Sequence, residues 1–180
     1  LNLGLDMATV RQRVAAALQA VGMAEHADKA VHNLSFGQKK RVCIAGVLAM
    51  QPALLILDEP MAGLDHAMQQ ELLAVLDQLH ADGITLLMAT HDIDFAYRWA
   101  ERIHLMAAGR CTASLNAAEL GEHATALAAL GLPLPEVITL HRELVERGVL
   151  PANPPPRCTA SLLTMLAEAK TTQEITCKIA

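Results

Sequence analysis

Residues Leu54–Asp65 read LLILDEPMAGLD, and this stretch decides the fold. The apolar run from Ala53 to Leu57, closed by Asp58, suits a strand. With no polar position to face water, that strand is expected to be buried on both faces, as in a parallel sheet flanked by helices. Asp58 and Glu59 follow where it ends, at the edge where open α/β sheets bind ligands. Adjacent carboxylates repel unless a cation or a proton relieves them, so the pair suggests a metal or an acid–base task. Pro60 ends the run, Gly63 lies in a turn, and Asp65 adds a third carboxylate. In isolation the string is also compatible with a strand and an Asp-Glu-Pro turn of no special chemistry. Its neighbours decide.

Downstream, Met68, Leu72, Val75, Leu76 and Leu79 recur at helical spacing and Gly83 closes the pattern. Ile84 to Ala89 is a second apolar run, ending at Thr90-His91-Asp92. Strand, helix, strand at this length is a βαβ unit with parallel strands and a right-handed crossover. Asp58, Glu59 and His91 are therefore expected at the same sheet edge. Upstream, Val10, Val14, Ala17, Leu18 and Val21 mark an amphipathic helix from Asp6 to about Gly22. Leu34–Val42 then reads LSFGQKKRV, where Ser35 and Gln38 have the capping-box spacing for a helix running to about Met50, with Pro52 as its stop.

Beyond the βαβ unit, a short helix is expected over Ile93–Glu101, then a hairpin of Arg102–Met106 and Arg110–Ser114 about Ala108-Gly109. After Asn116 the composition shifts to short helical patterns, Ala124–Leu130 and Pro135–Glu146. A proline cluster, Pro151–Pro156, reads as a stiff linker, and Thr159–Lys170 as a further helix. The last ten residues, TTQEITCKIA, carry no readable pattern. The expected organisation is one compact piece over 1–115 and a mostly helical extension over 116–180.

Bulk properties bound the function. The chain has 180 residues, 53% of them hydrophobic, which is ample for a core. Its longest apolar run, Val42–Met50, falls short of the roughly 18–20 residues that a spanning helix requires. Fourteen Lys+Arg against nineteen Asp+Glu give a net charge of −5, and aromatic residues make up 2%. That balance argues against a nucleic-acid surface and removes base-stacking platforms. The four cysteines form no C-x-x-C pair and the eight histidines no metal-spaced cluster, which suggests reduced thiols and no structural zinc.

At LSFGQKK, a serine and a glycine begin a helix whose first N–H groups lack intrahelical partners, beside the positive end of the helix dipole. Phosphate is the usual anion at such a place, and Gly37 would let it approach the backbone. A capped core helix is the simpler account if the segment stands alone. It does not stand alone. LSFGQKKRV, LLILDEP, AGLD and THD follow one another in an order and spacing that resembles the ATP-binding-cassette ATPases, as their signature motif (LSGGQ), Walker B strand, D-loop and switch histidine. The resemblance covers Leu1 to about Leu115. NLGL, the basic residues after the signature, DEP-x-AGLD, THDID and GLPLPEVITLHRELVERGVLP are similar to the energy-coupling-factor import ATPases, the cobalt and nickel branch above all.

The resemblance implies an α/β P-loop NTPase-like fold with a parallel sheet core, a helical signature subdomain and a mostly helical C-terminal extension. It also implies an ATP-hydrolysing subunit, with ATP and Mg²⁺ as ligands. In that frame Asp58 would hold Mg²⁺ through water and Glu59 would polarise the attacking water as general base. His91 would contact the γ-phosphate, in a reaction that needs positioning and charge stabilisation more than covalent help. Ser35, Phe36, Gly37 and Gln38 would meet ATP held by a second ATPase subunit, identical or not, and Gly63 and Asp65 of the D-loop would link the two sites. Membrane-embedded transporter subunits would be further partners, and the place would be peripheral, at the cytoplasmic face of the plasma membrane. Simpler roles compete at single positions: Asp65 as a helix N-cap, His91 as a strand-end cap, Lys39-Lys40-Arg41 as a solvated helix face, and Met61, Met68, Met88 and Met106 as packing.

The sequence departs from the family pattern in four ways. Phe36 replaces the first signature glycine, Met61 stands where Thr or Ser is usual, and His66 where Pro is usual. None of the ten glycines is followed by lysine, so there is no G-x-x-x-x-G-K-[ST] loop. The phosphate loop and the glutamine loop are expected upstream of Leu1, and these residues alone are expected not to hydrolyse ATP. Other readings are a cassette ATPase importing another small substrate, or a truncated, non-catalytic dimerisation module.

Overall fold

The computed structural model describes residues 4–152 and 154–179; of 171–179 only the helical backbone is described. Leu1–Leu3 of the opening LNLGL, Asn153 of the proline cluster and Ala180 lie outside the described residues. The chain packs as two compact units, Leu1–Thr90 and His91–Ala180.

In the first unit, helix α1 (Met7–Ala20) starts where the Asp6 carboxylate accepts from Thr9 N–H. Two short 3₁₀ turns, Ala24–His26 and Val31–Asn33, lead to α2 (Phe36–Leu48). Strand β1 (Leu54–Asp58), helix α3 (His66–Ala81) and strand β2 (Thr85–Ala89) form the expected βαβ unit. The strands pair in parallel from Leu54↔Thr85 to Asp58↔Ala89. Leu72, Leu76 and Leu79 form the buried stripe of α3, each contributing about 1.5–3 kcal/mol by leaving water. Gly83 carries a φ of +91°, a conformation open to glycine, and the chain reverses there into β2.

Burial on both strand faces is not what β1 shows. Leu55 and Leu57 are buried, whereas Leu54 and Ile56 are 46% and 66% exposed, as is Leu87 of β2 at 46%. Side chains alternate across a strand, so the uniform apolar run fills one face and leaves a second apolar face uncovered among the described residues.

The second unit begins with α4 (Ile93–Trp99), followed by an antiparallel hairpin of β3 (Arg102–Ala107) and β4 (Arg110–Asn116) with an irregularity at Leu105/Met106. Met106 is not a core residue of this chain: it is 63% exposed. A 3₁₀ segment (Ala117–His123), α5 (Ala124–Ala129), α6 (Glu136–Glu146) and α7 (Thr159–Ile179) complete the unit, α7 running well past Lys170 into the final ten residues. Tyr97, Ile103, Leu105, Leu115, Leu120, Leu127, Ile138, Leu150 and Leu162 share one core. The hairpin, α4 and the tail therefore fold as a body.

The proline cluster is no free linker. The carbonyl of Pro151 is bonded to the buried His141 at 3.1 Å, and Arg157 donates to the carbonyls of Tyr97 and Ala100 at 2.7 and 2.6 Å. Those carbonyls end α4 without intrahelical partners, and a guanidinium satisfies them.

Candidate functional site

Parallel pairing brings the ends of β1 and β2 together, so Asp58 lies level with Ala89. Glu59 continues the ladder by donating its N–H to Ala89 O at 2.9 Å, and its carboxylate accepts from the Thr90 hydroxyl at 3.3 Å. Glu59 has a φ of +44°, a left-handed conformation that costs a non-glycine residue about 1–2 kcal/mol. Asp58 is exposed and Glu59 half-buried. His91 follows Thr90 as the first residue of the second unit and is exposed.

The turn after Glu59 closes on itself through Ala62 N–H to Glu59 O at 3.2 Å and Leu64 N–H to Met61 O at 3.3 Å. Asp65 caps α3, its carboxylate accepting from Met68 N–H at 2.8 Å.

At the start of α2 the capping box is complete. Ser35 Oγ accepts from Gln38 N–H at 3.2 Å, and Gln38 Oε1 accepts from Ser35 N–H at 2.9 Å. The amide end of Gln38 is left to donate to Nε2 of His26 at 2.9 Å, and Nδ1 of that ring is buried without a partner. His26 is thus a neighbour of the signature residues that no spacing in the sequence pointed to. Gly37 is buried, and a Cβ there would meet the Met68 sulfur at 3.2 Å. Its missing side chain lets α2 approach α3 at Met68. Ser35, Gly37, Gln38, Arg41, Leu64, Met68 and Glu71 line a hollow of about 230 Å³.

Of the three basic residues after the signature, Lys40 and Arg41 are not simply a solvated face. Lys40 Nζ donates to the carbonyls of Pro60 and Ala62, both at 2.6 Å, and lies 5.3 Å from the centre of the Phe36 ring. Arg41 pairs with Glu71 at 2.9 Å. Burial lowers the Lys40 pKa, and the charge of Glu59 opposes that shift. Phe36 and Lys40 stand one helical turn apart, a spacing that could have suggested a shared task.

Asp58, exposed at the end of β1, offers the kind of donor Mg²⁺ takes, an ion that keeps much of its water shell and binds through one or two carboxylates beside phosphate oxygens. Among the described residues no group of three or more His, Cys, Asp or Glu side chains is arranged to hold a metal, and no helix is long and apolar enough to cross a membrane.

Residues 3–62 match the family model for ABC transporters. The energy-coupling factor transporter ATP-binding protein EcfA of Carboxydothermus hydrogenoformans is 40% identical over 152 residues, 84% of this chain and 56% of EcfA. The cobalt import ATP-binding protein CbiO of Rhodobacter capsulatus is 46% identical over 140 residues, 78% of this chain and 50% of CbiO. Among solved structures, CbiO1 of Clostridium perfringens, part of the ABC transporter complex CbiONQ, is similar with a TM-score of 0.62 and 40% identity, over 78% of this chain and 57% of that one. The chain spans about half the length of these relatives.

Proposed function

We propose, from the premise that the chain belongs to the ATP-binding-cassette ATPases, that it supplies the hydrolytic carboxylates and the signature helix of an importer's ATPase. The importer is of the energy-coupling-factor type, with cobalt or nickel as cargo; the cobalt import relative supports the first ion, and motif resemblance alone the second. The observation that carries this reading is the parallel register Asp58↔Ala89, which sets Asp58, Glu59 and Thr90 at one sheet edge.

In this reading Asp58 holds Mg²⁺, which when bound would offset the charge gathering on the phosphates. Glu59 accepts the proton of the attacking water, and Thr90 fixes its carboxylate by a hydrogen bond. His91 contacts the γ-phosphate. The start of α2, with Ser35, Phe36, Gly37 and Gln38, presents N–H groups and the helix dipole to ATP held by a second ATPase subunit. Gly63 and Asp65 lie at the contact between subunits. Membrane-embedded subunits carry the cargo, and the ATPase sits peripherally at the cytoplasmic face.

These 180 residues alone are expected to show no Mg²⁺-dependent ATP turnover, because they contain no Gly-Lys-Ser/Thr loop. In an active preparation carrying such a loop, Glu59→Gln should lower turnover about 100-fold or more and retain ATP binding. Unchanged turnover would remove Glu59 as the base.

A further inference from the structure

Glu59 stands in a backbone conformation that costs energy, so its surroundings must hold it there. On one side the hold is the sheet, through Glu59 N–H to Ala89 O. On the other side the turn's own bonds, at 3.2 and 3.3 Å, stand at the long end of the hydrogen-bond range. What reaches over the turn is Lys40, from the first turns of α2. Its ammonium bonds both Pro60 O and Ala62 O, the residues that flank Met61. Hydrogen bonds from a charged donor are about twice as strong as neutral ones. Holding a lysine still is entropically costly, and the Phe36 ring beside the ammonium restricts it through a cation–π contact.

The same ring is seated on the turn. A Cβ built on Gly63 would lie 3.2 Å from Phe36 Cε1, and Gly63 has a φ of +72°. Glycine is therefore favoured there for its conformation, and its missing side chain leaves room that is taken by the residue that departs from the signature pattern. A second glycine at position 36 would leave a gap over Gly63 and no ring beside Lys40.

We propose that Lys40 is a positioning residue for Glu59: with Phe36 it clamps the turn 60–63 to the start of α2, so that the signature end of the helix and the Glu59 carboxylate move as one piece. The clamp itself is independent of nucleotide; its consequence for turnover rests on the function proposed above. A signature helix drawn onto ATP in a second subunit would then pull on the carboxylate serving its own subunit's ATP. Closure at one site is thereby felt at the other through a rigid contact within a single chain.

Two measurements test this. In the 180-residue chain, Lys40→Met keeps the stem and removes the donor. Hydrogen exchange at the amides of Ala62 and Leu64 should become about tenfold faster, with helix α1 and the second unit unchanged. Lys40→Arg should restore most of the protection, and Phe36→Leu should give an intermediate rate. Unchanged exchange at those amides in Lys40→Met, or an equal increase across the whole chain, overturns the clamp. In an ATP-hydrolysing preparation, Lys40→Met should lower kcat about tenfold while KM stays within about twofold, because Glu59 is misplaced without loss of ATP contacts. A rise in KM at constant kcat overturns the positioning role. If Glu59→Gln leaves turnover intact but the exchange result holds, the functional reading fails and the clamp stands.

Discussion

The two units of this chain solve packing differently. The second, His91–Ala180, closes a core around Tyr97, Leu127 and Ile138, and even its proline segment is bonded down through Pro151 and Arg157. The first, Leu1–Thr90, carries nearly all the residues assigned to chemistry, yet its parallel strands leave Leu54, Ile56 and Leu87 exposed on one face. Parallel sheets are ordinarily covered on both faces. The difference teaches that motif content and completeness of packing are separate properties. Both units bury apolar side chains; in the first the site is held in addition by the caps at Ser35 and Asp65 and by the lysine bridge from Lys40 to the turn after Glu59.

The contrast can be broken most forcefully in the second unit. Ile138→Ala empties part of a closed core and should cost about 3 kcal/mol, read from denaturant unfolding followed by Trp99, the chain's one tryptophan. Exchange at Ala62 and Leu64 should be unaffected; a parallel loss there would show that the units are not energetically separate. Within β1, Leu57→Ala, at a 9% exposed position, should cost about 2 kcal/mol. Ile56→Ala, two residues away at 66% exposure, should cost no more than about 0.5 kcal/mol. Equal losses would mean that the second sheet face is covered in solution.

A smaller effect is expected at the start of α2. Ser35→Ala removes one half of the capping box and should cost about 1 kcal/mol, measured by denaturant unfolding followed by far-UV circular dichroism, since Trp99 lies in the second unit. The smallest effect is confined to alkaline pH. Burial raises the Tyr97 hydroxyl above its ordinary 10.0, against the opposing charge of Arg157. A raised native pKa favours the neutral form in the fold. That contribution is therefore complete below the unfolded value near 10 and is lost as pH rises through the native one. Tyr97 is the only tyrosine, so tyrosinate absorbance reads it directly, and a native titration at or below 10 would contradict the packing of the second unit.

Much of the site was legible because it is built from local rules. Ser35 and Gln38 three residues apart, Asp65 before a periodic run, and an apolar strand ending in Asp-Glu each specify their own geometry. The βαβ unit followed from two apolar runs and one amphipathic stretch between them. What stayed hidden depended on partners distant in sequence. Lys40 looked like part of a basic, solvated helix face, and only the fold places two carbonyls from positions 60 and 62 under its ammonium. His26 and Gln38 likewise meet only because a chain reversal returns the first 3₁₀ turn to α2.

The sequence by itself determined where helices begin, which strands run parallel, and which residue types stand at the sheet edge, since capping and side-chain periodicity act over a few residues. Tertiary structure alone decided which face of LLILD is buried, what Lys40 and Phe36 hold, and that the hairpin packs with the tail. An apolar side chain is equally suited to either face of a strand, and a lysine to water or to a carbonyl. The choice between them is made by whatever the rest of the chain brings alongside.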